Sequence, residues 1–242
     1  MMKRLIAAAF AASLLLASPA MAQSLTDQVA AELAANGLTL DTASEADIDA
    51  AVEAVFDQSI AGQLALVGLD PATASDGQIA LAVAALMSNN PSLSDGAVAA
   101  LTAAAVKMRP SAAARITSQA VGQRPAAAVA ITRAAVAANP TQVKEIAAAA
   151  SQAAINGGQR GLVGGIIANA VSVANSKGVT TTINDVAGAV SASTGIDAAT
   201  LSDEASNAVI VADAVVQELI DRDEEEEDLI LDENPAQDAS PA

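Results

Sequence analysis

The sequence predicts an all-α fold. It reads as a right- or left-handed array of short antiparallel helices, α-solenoid-like or an irregular helical bundle, ending in a disordered acidic C-terminal tail. Three observations carry this expectation. Alanine, with Leu, Met, Gln and Glu, dominates the chain, and these residues favour helix. Few stretches alternate β-branched residues as strands do. Proline recurs about every 15 residues, at Pro110, Pro125 and Pro140, and the residues behind it recur with it. The third residue after each proline is Ala113, Ala128 and Val143. The sixth is Ile116, Ile131 and Ile146, and the tenth is Ala120, Ala135 and Ala150. Counted from Asp95, the preceding segment has Val98, Leu101 and Ala105 in the same places. Asp95–Ala154 is therefore an internal repeat, the mark of stacked supersecondary units.

The repeat has a direct physical reading. Proline fixes φ and lacks an N–H, so it suits the first turn of a helix. It also drives the residue before it out of the helical region. Arg109, Arg124 and Asn139 are thus linker residues. Offsets of three, six and ten share one helical face, made here of Val, Ile and Ala. Short linkers make consecutive helices antiparallel neighbours. The turns at Pro110 and Pro140 should lie at one end of the array and the turn at Pro125 at the other.

In chain order, the first element is a secretory signal peptide over residues 1–22. Lys3 and Arg4 are its basic region, Leu5–Ala17 its apolar core and Ala20-Met21-Ala22 its cleavage site. The apolar run is too short to span a bilayer. Cleavage leaves a mature chain beginning at Gln23, with a helical-repeat domain over 23–220 and a tail over 221–242. Helices are expected near 25–36, 45–57, 60–67, 76–88, 95–108, 110–123, 125–138, 140–155, 161–176, 184–193 and 203–221. Four of the connections begin with glycine: Gly37, Gly68, Gly178 and Gly195. Glycine there takes the left-handed position that ends a helix. Ser24, Ser44, Ser75 and Ser202 are read as N-caps of the helices that follow. Asp27 and Asp47 complete a capping-box-like start after Ser24 and Ser44. The acids of these loops lack the spacing of an EF-hand. Gly161 and Gly165 form a GxxxG pair that permits close helix approach, and neither phosphate-binding glycine pattern is present. From Asp221 to Asp228 seven acids stand against Arg222, followed by the small apolar cluster Leu229-Ile230-Leu231. Like charges in such a run repel and stay solvated.

Composition narrows the function. The chain has no Cys, His, Trp or Tyr, and Phe56 is the only aromatic after the signal peptide. Ser-His-Asp and Cys-His catalysis and Cys/His zinc sites are excluded. Aromatic stacking on sugars or bases is almost so, which makes nucleic acid a poor partner. No catalytic, metal or cofactor residues are assigned. No second run is apolar enough to span a membrane. Net charge is −17, or −19 once Lys3 and Arg4 leave. Residues 23–106 hold eleven acids and no base. Residues 107–178 hold one acid, Glu145, and eight bases: Lys107, Arg109, Arg115, Arg124, Arg133, Lys144, Arg160 and Lys177. Residues 179–242 hold sixteen acids and one base. Such asymmetry signals an interaction. The expectation is an exported, non-enzymatic structural or protein-interaction scaffold of the bacterial envelope or extracellular space, with a protein partner or further copies of itself. The alternative is a binder of an anionic envelope or extracellular polymer through 107–178, whose eight bases would then contact the polymer or the chain's own acidic tail.

Overall fold

The computed structural model describes residues 25–209. The expected signal peptide, the first residues of the mature chain, the C-terminal part of the last predicted helix and the acidic tail lie outside the described residues. Between them the chain is all-helical, with no strand among the described residues. The α-helices are α1 (Leu25–Ala35), α2 (Glu45–Ala65), α3 (Asp76–Asn89), α4 (Asp95–Met108), α5 (Ala113–Gln123), α6 (Ala128–Ala138), α7 (Val143–Asn156), α8 (Val163–Ser176) and α9 (Ile183–Thr194). A further segment, α10, is helical over 198–209.

Each repeat proline opens a 3-10 turn before its α-helix: Pro110–Ala112, Pro125–Ala127 and Pro140–Gln142. Ala112 N–H bonds back to Arg109 O and Ala127 N–H to Arg124 O, both at 3.0 Å, and this tight turn absorbs the change of direction. The α-helices therefore begin three residues after the proline. Arg109, Arg124 and Asn139 sit near φ −140° and ψ +75°, outside the helical region as the following proline demands (for Arg109, φ −138° and ψ 80°).

The helices connected in sequence are antiparallel, but from α2 to α9 each packs most extensively on a helix two positions away, while α1 packs on α2. Hydrogen bonds fix the directions. Ser111 at the start of α5 donates to Asp76 at the start of α3, and Ser88 near the end of α3 donates to Gln123 at the end of α5. Those two helices run parallel. Arg124 before α6 reaches Leu93 before α4, and Asn139 after α6 reaches Pro110 after α4, so α4 and α6 also run parallel. Two interleaved series result, α3–α5–α7–α9 and α2–α4–α6–α8. The Pro110 and Pro140 turns meet at one end. The Pro125 turn is at the other, beside Gly157, where an added Cβ would lie 2.5 Å from Pro125 Cγ. The alternation of turns is the expected one. The dominance of next-but-one packing is not foreseen by short linkers alone. It arises because the buried stripe is wide: Ala112, Ala113, Ile116, Thr117, Ala120 and Val121 of one repeat unit all lie under 3% exposed. A stripe of that width faces both a flanking helix and the opposite series.

Ile116, Ile131 and Ile146 are fully buried, in one core that runs from Phe56 to Ala205. Val29, Leu33, Ala51 and Val55 form a second, smaller core between α1 and α2. Seven residues after the start of each frame stand Thr102, Thr117 and Thr132, fully buried, each donating its hydroxyl to the carbonyl four residues back at 2.7–2.8 Å. The bond satisfies a polar group inside an alanine-rich core without a partner from another helix.

Several local expectations are corrected. The helices drawn at 45–57 and 60–67 are one, α2, because Gln58 and Ser59 continue the helix; Ser59 Oγ turns back onto Val55 O. Ser202 lies inside α10 and does not cap it. Asp197 does, accepting from Thr200 N–H at 3.0 Å. Ser44 and Ser75 are caps as expected, in complete capping boxes with Asp47 and Gln78; Thr182 with Asp185 forms a third, not among those expected, and the expected cap Ser24 lies outside the described residues. Gly37, Gly68, Gly178 and Gly195 all have φ between 73° and 83°. The GxxxG pair is not where the backbones meet. A Cβ on Gly161 would touch nothing and one on Gly165 would make ordinary contact with Val129, whereas one on Gly164 would lie 2.8 Å from Glu204 O. Gly164 is the glycine that α10 requires. Gly164→Ala should therefore destabilise the protein by about 1–3 kcal/mol, since the clash is with backbone. Gly161→Ala should be within about 0.5 kcal/mol of wild type. Chemical denaturation of the two variants checks the contrast.

Candidate functional site

The eight bases of the middle segment are the candidate site, and the structure distributes them over both series of helices. Arg109 and Arg124 stand in the non-helical position before a repeat proline, and Asn139 takes the same place one unit later. Each reaches the turn two helices back. Arg109 Nη2 donates to Pro71 O at 3.1 Å. Arg124 Nη2 donates to Pro91 O at 2.6 Å and to Asn90 O at 3.4 Å, and its Nη1 to Leu93 O at 3.4 Å. Asn139 Nδ2 donates to Pro110 O at 3.0 Å, with Thr141 Oγ1 holding its other end at 2.7 Å. These carbonyls belong to turns; Asn90 O and Pro110 O also accept a backbone N–H, from Leu93 and Ala113, so there the side chain adds a second bond. The linker residue is thus a staple from turn to turn, a role the sequence signals only as a long donor before proline.

Four ion pairs join the basic middle to the acidic flanks. Lys107 of α4 bonds Glu53 of α2. Arg109 lies 3.8 Å from Asp76 at the start of α3. Lys144 of α7 lies 3.5 Å from Asp185 of α9. Arg160 is bidentate on Glu204 of α10, at 2.8 Å for both bonds. In each pair the base comes from 107–178 and the acid from a flank. Arg160 pairs with Glu204 at the point where Gly164 lets α10 approach, and this bond raises the guanidinium pKa further. Asp185 is held below the usual carboxylate range, first by the Thr182 hydroxyl, then by the Thr182 N–H, then by Lys144. Asp47 is lowered in the same way by the Ser44 hydroxyl and N–H. A depressed folded pKa supplies stability above the ordinary carboxylate range and loses it as pH falls through the folded value.

Arg115, Arg133 and Lys177 stand on exposed positions outside these four pairs. Arg115 lies over the first turn of α3, where a Cβ on Gly77 would come within 2.8 Å of its Nη1. Arg133 is on α6 and Lys177 follows α8, in the other series. The eight bases are therefore not gathered on one face. A shallow groove of ≈ 290 Å³ lies between α5 and α7, lined by Ser118, Gln119, Gly122, Gln152, Asn156 and Gly157, and carries no charged group. Among the described residues no cluster of three or more carboxylates has metal-site geometry. No described helix is long and apolar enough to cross a membrane. Comparison with protein-family models, curated proteins and solved structures finds no match to this chain.

Asn139→Asp should test the staple. The substitution keeps the shape and sets a carboxylate against the Pro110 carbonyl in a nearly buried place (8% exposed). A loss of about 1–3 kcal/mol at neutral pH is expected in urea unfolding, with part of it recovered in acid.

Proposed function

We propose that this chain is an exported, non-enzymatic scaffold with an α-solenoid-like array of helices that engages a protein partner or further copies of itself in the bacterial envelope or extracellular space. One observation supports it above the others. Most of the charged chemistry of the middle segment is committed to holding the array together, through turn-to-turn staples and pairs between helices. Function then falls to the shape and outer faces of the array. The signal-peptide pattern of residues 1–22 supports export.

Arg115, Arg133 and Lys177 favour a second reading, contact with an anionic polymer, because they are exposed and lie outside the internal ion pairs. Affinity capture with the mature protein from an envelope extract separates the two. The scaffold reading expects a protein partner, or further copies of the chain, retained at high salt. Retention of anionic polymer alone, lost as salt rises, would favour the second. Under that second reading the seven acids of 221–228 compete for the same bases, so a chain lacking 221–242 should bind heparin more tightly than full-length protein at low ionic strength, with the gain fading in salt. Equal binding of the two forms would remove the competition.

Export has its own test. N-terminal sequencing of the exported protein should begin at Gln23, and Met1 retained on cytoplasmic material would overturn the assignment.

A further inference from the structure

α2 joins two cores. One side carries Ala51 and Val55 against α1, and the other carries Phe56, Ile60 and Leu64 into the main core. Asp57 lies on the flank of α2 that faces α4, near the Lys107 ammonium. Its side chain is half-buried, and Oδ1 is sealed from solvent without a hydrogen-bond partner. Glu53 stands one turn earlier on the same helix, and the Lys107 ammonium reaching across from α4 is bonded to Glu53. The other charged groups on the elements packed against α2 are acids. They are Asp27 and Glu32 of α1, Asp76 of α3 and Asp95 of α4. Glu32 accepts from Gln58, and Asp76 is engaged by Arg109 and Ser111. No second cation comes from those helices. An ionised Asp57 would carry an oxygen that water has left and no donor serves, beside another negative charge. The neutral acid avoids both costs.

We propose that Asp57 is a proton-operated latch: protonated, it seats the α1–α2 pair firmly on the array, and ionised, it loosens that seat. Burial first and Glu53 second push its carboxyl up to about 6, against the opposing pull of Lys107. A raised folded pKa gives stability that is complete below the ordinary carboxylate range and is lost as pH rises through about 6. In a chain without histidine, this carboxyl takes the part histidine commonly plays as a charge switch in mildly acidic surroundings.

Amide hydrogen exchange of the full chain between pH 4 and pH 7 tests the latch, comparing wild type with Asp57→Asn at each pH so that intrinsic rates cancel. The two should exchange alike in α2 at pH 4. At pH 7 the variant should exchange about tenfold more slowly, the full effect of the shift being reduced by partial exposure. The amides of α6 should show no difference. Glu53→Gln removes the neighbouring charge and frees Lys107 for Asp57, so the wild-type transition should move to lower pH. Equal exchange of wild type and Asp57→Asn in α2 at pH 7 overturns the proposal. So does an equal change in α6, or a Glu53→Gln transition that stays in place or moves up.

Discussion

The structure depends on the residue pair at each repeat turn. Proline ends one helix and starts the next, and the residue before it is held extended. Extended backbone at Arg109, Arg124 and Asn139 sends the side chain away from its own helix and toward the turn two helices back. The same constraint that sets helix length therefore also sets which helices become neighbours. The pre-proline side chain brings a donor to a turn carbonyl such as Pro91 O or Pro110 O at hydrogen-bond distance. Arginine serves three carbonyls at Arg124 and asparagine one at Asn139, so the staples differ in strength while keeping one geometry.

The acid–base–acid order of the sequence has the same logic. A base near one end of a helix meets the helix two positions away. For helices near the boundaries of the basic middle, that partner comes from an acidic flank. Lys107 finds Glu53 and Lys144 finds Asp185 for this reason. These pairs are substantially exposed and each contributes little, about 0–1 kcal/mol. They select register more than they add stability. A like-charged flank would set repulsion at every one of the same contacts.

Much of this is legible in the sequence, and the rest has physical reasons for being hidden. The proline frame, the buried isoleucines and the left-handed glycines are local signals, and the structure agrees with them. So are the caps at Ser44 and Ser75. Ser202 misleads because Asp197, five residues earlier, offers a better N-cap two residues after Gly195, and the helix starts at the first competent cap. The Gly161–Gly165 spacing misleads because a small-residue motif gives the chance of close approach and not the partner; the partner, Glu204, lies 40 residues further on. Next-but-one packing is hidden because alanine marks a buried face weakly. Asp57 could not be singled out from the other acids of α2, since its distinction is burial, which only the packed neighbours create.

The alanine content also explains why so much polar detail is found in the core. Alanine buries little area per residue, so the hydrophobic contribution of each helix is small. Close backbone approach compensates through dense contact, but it leaves no room for a large polar partner inside. Buried hydroxyls must therefore be satisfied by their own helix, as Thr102, Thr117 and Thr132 are. Ser151 shows the cost of departing from this rule. It occupies the place of Val121 and Val136 in the repeat, is fully buried, and its hydroxyl has no partner. A closely packed, alanine-rich core has little surplus with which to absorb such groups, and Asp57 is the charged case of the same problem. At Ser151 the unmet hydroxyl cannot change its state. At Asp57 a proton can remove the conflict, which turns a packing defect into a response to pH.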